Sequence, residues 1–355
     1  MSRTRPDVSI VIKALNEERH IAAAIESALA ALDGIDGEVI VADSASTDRT
    51  VEIAAKYPIK IVRLSRVEDR SCGAGVQLAY QYSRGRYVYL LDGDMRLRKE
   101  FISAGIQFLE EHPDFAGVGG IIFECETHNF EYVKRATARD AGRGAGEVSR
   151  LNCGGLYRRE AIDAAGYFGD RNLHSAEEFE LAVRLRARGW KLARIDVPAI
   201  DHYGHAENPY AMLRRRWVTR FAFGPGEILR AALAHDRLGL TLKGLQRQIS
   251  LLAAVHFWWI CLIAALFITR ARLQAWTPAL IATATLAILP FVGMSLRCRS
   301  LNRGIYSVVA WNVYALGVWP GLFQRRVNPA AWIDSTVVRA MPASPTPTRI
   351  RALVN

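Results

Sequence analysis

Cysteine is scarce in this chain and badly placed for cross-linking. Cys72, Cys125, Cys153, Cys261 and Cys298 are scattered through 355 residues without a CxxC pair. An odd, dispersed set excludes a disulfide-stapled scaffold and argues against a thiolate zinc site. No GxGxxG follows the first apolar strand, where the loop reads Lys13-Ala14-Leu15-Asn16-Glu17-Glu18. That absence argues against a dinucleotide-binding Rossmann domain. The N-terminus, MSRTRPDVSI, holds no long apolar run, so no cleavable signal peptide is expected and the first domain is expected in the cytoplasm. Acidic residues are nearly missing late in the chain. From residue 249 onward Asp334 is the sole acid, against ten arginines and no lysine.

What is present is apolar and unevenly charged. Hydrophobic residues make up 50% of the chain and charged residues 23%, which excludes a disordered protein. The formal net charge of +11 divides into −2 over residues 1–200, +4 over 201–248 and +9 beyond. A nucleic-acid binder carries its basic charge on the folded soluble domain. Here the charge lies on and beside apolar runs, so a membrane surface is the expected partner and nucleic acid is not.

Those runs are Ile249–Ile268, Trp276–Leu296 and Ile305–Phe323, each about long enough to cross a bilayer core. They predict a transmembrane region over 249–326, with the third run, which holds Asn312 and Pro320, open to a re-entrant reading. A buried helical bundle is the bland alternative. Residues 226–248, with leucines among Arg and Lys, read as an interfacial helix or linker. Residues 327–355 read as a tail, disordered around 342–350. Three spans would carry the C-terminus across the membrane. Arginines flank both ends of the runs, so the positive-inside rule decides little.

The first 225 residues alternate strand and helix. Strands are predicted at Val8–Lys13, Glu38–Asp43, Ile59–Leu64 and Tyr87–Leu91, with helices at Glu17–Leu32, 48–56 and Cys72–Ser83 between them. This order predicts an α/β fold with a mostly parallel sheet and helices on both faces. Ligands in such folds bind beyond the C-terminal strand ends, here Ala14–Glu18, Asp43–Thr47 and Asp92–Asp94.

Asp92-Gly93-Asp94 follows directly on the apolar YVYLL strand. Two carboxylates around a glycine suit a hard divalent cation bridging to phosphate, although a polar turn has the same composition. Asp43 ends a strand where a carboxylate can accept from a base or ribose; Ser44 follows it, and Thr47 or Asp48 is an ordinary N-cap. Asn152-Cys153-Gly154-Gly155 offers close backbone approach to a ligand, or simply a turn. Glu177 and Glu178 open an amphipathic helix, where acids favour the macrodipole or, at a pocket edge, serve as a general base. Arg214-Arg215-Arg216-Trp217 reads as a diphosphate clamp or a basic patch beside the bilayer. His202 and His205 are each a third metal ligand or a hydrogen-bonded structural histidine.

Taken together, SIVIKALNEE, VADSASTDRT, YVYLLDGDM, CGGLYRREAIDAAGYF with HSAEEFELAVRLRARGW, and RRRW resemble the family 2 glycosyltransferases of GT-A fold, over residues 7 to about 225. The resemblance implies an inverting transfer from a nucleotide-diphosphate sugar with Mn²⁺ or Mg²⁺, in a cell-envelope or polysaccharide-building role. It implies that Ala14, Asn16, Glu17, Asp43 and Ser44 hold the nucleoside. Asp92 and Gly93 would face the ribose, Asp94 with Asp92 and His205 the metal, and Arg216 with Trp217 the diphosphate. Cys153, Gly154 and Gly155 would border the acceptor. Glu178 stands where the family has the Asp of Glu-Asp and would be the general base, with Glu177 its rival. Leu213 stands where the signature has Gln or Arg, a departure from the processive, polymer-making type.

The membrane region predicts a lipid or lipid-linked acceptor and an integral protein of the inner or plasma membrane, with its catalytic domain cytoplasmic. A processive polysaccharide synthase and an inactive GT-A scaffold are the alternatives. Neither donor sugar nor oligomeric state is written in the sequence.

Overall fold

The computed structural model describes residues 6–125, 144–152, 154–204, 207–234 and 237–340. Its first half is built from runs of alternating β-branched residues: β1 (Val8–Ala14), β2 (Gly37–Asp43), β3 (Lys60–Leu64) and β4 (Tyr87–Asp92). Successive side chains on a strand point to opposite faces. Ile10 and Ile12 therefore enter one core with α1 (Ile21–Ala31) and α4 (Phe101–Glu111), and Val11 enters another with α3 (Cys72–Tyr82). Both faces are covered, which is why these strands read as unbroken apolar runs. α2 (Thr50–Ala54) connects β2 to β3.

The remaining strands are β5 (Met95–Leu97), β6 (Phe115–Glu124), β7 (Gly146–Glu147), β8 (Gly155–Arg158), β9 (Lys191–His202) and β10 (Ser335–Arg339). The sheet order is β10-β3-β2-β1-β4-β8-β6-β9-β5, with β7 beside β9. β3, β2, β1 and β4 run parallel, as the alternation predicted. The other half is mixed: β8 lies antiparallel to β4 and β6, and β5 antiparallel to β9, while β6 and β9 run parallel. α5 (Arg159–Ala165) and α6 (Glu177–Arg186) close the second face.

Beyond β9 the chain is helical: α7 (Pro209–Val218), α8 (Gly224–Ala234), α9 (Leu238–Leu273), α10 (Trp276–Cys298) and α11 (Leu301–Phe323). Three features depart from expectation. The segment 226–248 is not one interfacial helix: its first part is α8, packed on α11, and its second part is the opening of α9, whose 36 residues run on through the first apolar run. Of the three runs, only α9 and α10 lie in helices long and apolar enough to cross a membrane; α11 is as long as α10 but buries seven residues. Finally, residues 327–340 are no free tail. Ile333 is fully buried in the core, and β10 pairs antiparallel with β3. The stretch around 342–350 lies outside the described residues, as do 126–143 of the predicted acceptor loop.

Candidate active site

The ends of β1, β2 and β4 converge, and their loops are laced to one another. Asn16 adopts a left-handed backbone (φ 58°), and its Oδ1 accepts the Thr47 N–H at 2.8 Å. In return the Asn16 N–H donates to Ser46 Oγ at 2.9 Å, and the Glu17 N–H to Thr50 Oγ1 at 2.7 Å. Ser44 N–H donates to the Ala14 carbonyl at 2.8 Å. Asp43 is fully buried; it accepts the Ser46 N–H at 3.0 Å and pairs with Arg63 at 3.2 Å. Burial raises its carboxyl from the ordinary value, an effect that the Ser46 hydrogen bonds and Arg63 only partly offset. Arg70 braces the same loop by donating to the Ser44 carbonyl at 2.7 Å.

Asp92-Gly93-Asp94 forms the turn from β4 to β5. Gly93 N–H donates to the Lys13 carbonyl at 3.0 Å, and a Cβ at Gly93 would sit 2.8 Å from Glu17 Cγ. The glycine thus lets the turn lie directly on the Glu17 side chain, joining the two strand ends. Lys13 Nζ lies 3.2 Å from Asp92 Oδ1 and is also bonded to Glu177 Oε1. On the other side of the turn Asp94 Oδ2 lies 3.4 Å from His202 Nε2, whose Nδ1 meets Glu124 Oε2 at 2.6 Å. Burial alone would lower the His202 pKa, but the hydrogen bonds to Asp94 and Glu124 raise it to about 9.

The two glutamates that open α6 part company here. Glu177 is buried and joined to Lys13. Glu178 turns the other way, accepting the Gly154 N–H at 3.0 Å. Burial and the neighbouring Glu177 charge lift its pKa to about 7, against a smaller lowering by Lys13. A carboxylate with that value at neutral pH is suited to accept a proton. Gly154 has φ 92°, and a Cβ there would lie 2.8 Å from the Leu90 carbonyl, so only glycine presents its N–H in this place. Gly155 begins β8 next to it.

The basic motif lies on α7. Arg216 donates to the Tyr314 hydroxyl at 2.8 Å, and Trp217 packs edge-on against Phe223. Leu213, the departure from the signature, is buried against Tyr306 and Ala310 of α11, where a Gln or Arg head group would be desolvated. These contacts join the helix to α11. Cys153 and His205 lie outside the described residues.

Lys13, His202 and Glu124 complete the constellation. Lys13 had a readable signal, as the only charge in an otherwise apolar strand, but its partners at 92 and 177 are brought to it only by the fold. Among the described residues no group of three or more His, Cys, Asp or Glu forms a preformed metal cage. Asp92 and Asp94 nevertheless fit a hard divalent cation, since both are oxygen donors on one turn and phosphate oxygens can supply further ligands.

Comparison with known proteins accords with this geometry. Residues 9–170 match the glycosyl transferase family 2 profile. The succinoglycan biosynthesis protein ExoO of Rhizobium meliloti is 33% identical over 124 residues, covering 32% of this chain and 35% of ExoO. ExoA of the same organism, also a succinoglycan biosynthesis protein, is 26% identical over 61% of this chain and 68% of its own. The match thus spans about a third of ExoO's length. A mannosyltransferase from Pyrobaculum calidifontis, solved with GDP-Man and Mn²⁺, shares the fold with a TM-score of 0.57 at 18% identity, over 91% of this chain and 89% of that one. The sheet is of GT-A type, and the stretch 9–170, which carries the Asp92–Asp94 turn at its strand ends, is similar to the family 2 glycosyltransferases.

Proposed function

We propose that the protein is an inverting glycosyltransferase that moves a sugar from a nucleotide-diphosphate donor to a lipid or lipid-linked glycan acceptor at the membrane. The observation that carries this reading is the separation of the two glutamates. Lys13 engages Glu177, leaving Glu178 on the Gly154 amide with its pKa near 7. Relatives named for succinoglycan biosynthesis support glycan assembly, and the two long apolar helices support an acceptor held at a bilayer.

In the reaction the acceptor hydroxyl oxygen bonds to the anomeric carbon as the bond from that carbon to the phosphate oxygen breaks. The hydroxyl proton passes to Glu178, and the electron pair leaves with the nucleoside diphosphate. Asp94 and Asp92 would hold Mn²⁺ or Mg²⁺, which when bound supplies positive charge to the departing diphosphate. Asn16, Glu17 and Asp43 border the nucleoside pocket, and attack from the face opposite the leaving group inverts the anomeric centre.

The test is nucleotide binding by the detergent-purified chain, comparing UDP, GDP, dTDP and CMP with Mn²⁺, Mg²⁺ or EDTA. Metal-dependent binding of one diphosphate, lost in Asp94→Ala, is the expected result. Binding of none of them would overturn the transferase assignment of this site in favour of a scaffold.

A further inference from the structure

Both ends of the apolar helices are tied to the catalytic domain. α9 opens against it, with Leu245 packed beside Phe179 and Ile228. After α11 the chain returns to the same domain. Arg326 pairs with the buried Asp170 at 3.1 Å, and Asn172 exchanges two hydrogen bonds with the Val327 backbone at 2.8 and 2.9 Å. Gln81 does the same for Ile333 at 3.2 and 2.9 Å, and β10 then joins the sheet. A chain that leaves a domain and rejoins its sheet crosses any membrane an even number of times.

The packing selects which helices cross. α11 packs on α9 and α10 with one face and on catalytic-side elements with the other. Tyr306 meets Tyr210 with ring centroids 5.6 Å apart, Tyr314 accepts from Arg216, and Cβ atoms at Gly317 and Gly321 would sit 2.3 and 2.2 Å from the carbonyls of Ala222 and Phe223. Spanning the bilayer would drag α7, with its three arginines, into hydrocarbon. α9 from Val255 onward and α10 meet α11 on one face and leave the other open. Phe257, Ile260, Ile263 and Phe267 on one, and Ile281, Leu289 and Leu296 on the other, are exposed apolar side chains. α10, with 23 residues, is about 35 Å long, against a core of about 30 Å.

We infer that α9 and α10 form a hairpin crossing the membrane twice, that α11 lies against the catalytic domain on its own side, and that this side is the cytoplasm. The inference rests on the membrane reading above. It divides the arginines unequally. Arg297, Arg299 and Arg303 at the α10–α11 turn, and Arg325 and Arg326 after α11, lie on the catalytic side; only Arg270 and Arg272 lie at the far turn. Arg270 stacks on Trp276 there, 5.1 Å from the ring centre, an aromatic anchor of the kind found at membrane–water boundaries. An excess of arginine in short loops marks the cytoplasmic face.

The experiment uses the full chain in sealed spheroplasts. Gln274→Cys lies in the far turn and Leu301→Cys in the near one; each is labelled with a membrane-impermeant maleimide against the wild-type background, and alkaline phosphatase is fused to the C-terminus. Expected are labelling of Gln274→Cys without permeabilisation, labelling of Leu301→Cys only after it, and an inactive phosphatase. An active phosphatase would mean an odd number of crossings and overturn the inference. So would protection of both cysteines until permeabilisation, which means no crossing, or labelling of Leu301→Cys alone. Carbonate washing separates the underlying reading: protein released by carbonate overturns the membrane reading itself, whereas retained protein with an active phosphatase overturns only the topology.

Discussion

Glu177 and Glu178 are chemically identical and adjacent, and their partners make them different. Glu178→Gln keeps the hydrogen bond from Gly154 but removes the proton acceptor, so transfer is expected to fall about 10²–10⁴-fold with donor affinity nearly unchanged, read by isothermal titration alongside single-turnover rates. Because the functional form is the carboxylate and its pKa is about 7, kcat/KM is expected to decline with unit slope as pH falls below about 7. The stability contribution has the opposite sense. A carboxyl raised on folding binds its proton more tightly in the native state, so Glu178's contribution is fully present at low pH and lost as pH rises from its ordinary 4.5 to about 7. Lys13→Met removes the cation shared by Asp92 and Glu177. It is expected to move the acidic limb of the rate profile to higher pH, while Lys13→Arg restores most of it. The sequence marked the carboxylates and left both glutamates open as the base. Choosing between them needed the lysine that β1 carries to the site from more than 160 residues away.

Among the elements, β1 to β4 were legible to within a residue or two, because a strand buried on both faces writes its length as a continuous apolar run. α1 was read four residues too early at its start. Residues 17–20 look helical in pattern, but Asn16 turns left-handed and the Glu17 amide is taken by Thr50. β10 was illegible, since STVVR is short, mostly exposed, and defined by its neighbour β3 rather than by its own pattern. Its anchor is testable. Ile333→Ala is expected to destabilise the catalytic domain by about 2–5 kcal/mol, measured by urea unfolding in detergent, as for other buried large-to-small changes. At the head of β8, Gly154→Ala is expected to cost about 1–3 kcal/mol through its positive φ and to lower transfer by moving the amide that holds Glu178.

For the whole molecule, the apolar runs were legible as composition, whereas their packing and the chain's return to the sheet were not. Hydropathy counts apolar runs; it does not report that α11 divides its apolar side chains between α7 and α8 on one side and α9 and α10 on the other, or that the chain afterwards rejoins the sheet. The distinction predicts where charge is tolerated. Ile281→Arg and Leu289→Arg are each expected to oppose insertion by about 2.5–3.5 kcal/mol and to reduce the carbonate-resistant fraction. Ala310→Arg is expected instead to disturb the seat of α7 and leave insertion intact. The returning strand also sets an order of events. β3 ends at Leu64 and its partner begins at Ser335, so 270 residues, both apolar helices among them, emerge between the two edges of one pairing. At about 5–20 residues per second the ribosome holds the sheet unfinished for roughly 14–54 s. The sheet's last strand is therefore added only after both apolar helices have been synthesised, and with those helices inserted as inferred above, completion of the sheet is timed by delivery to the bilayer.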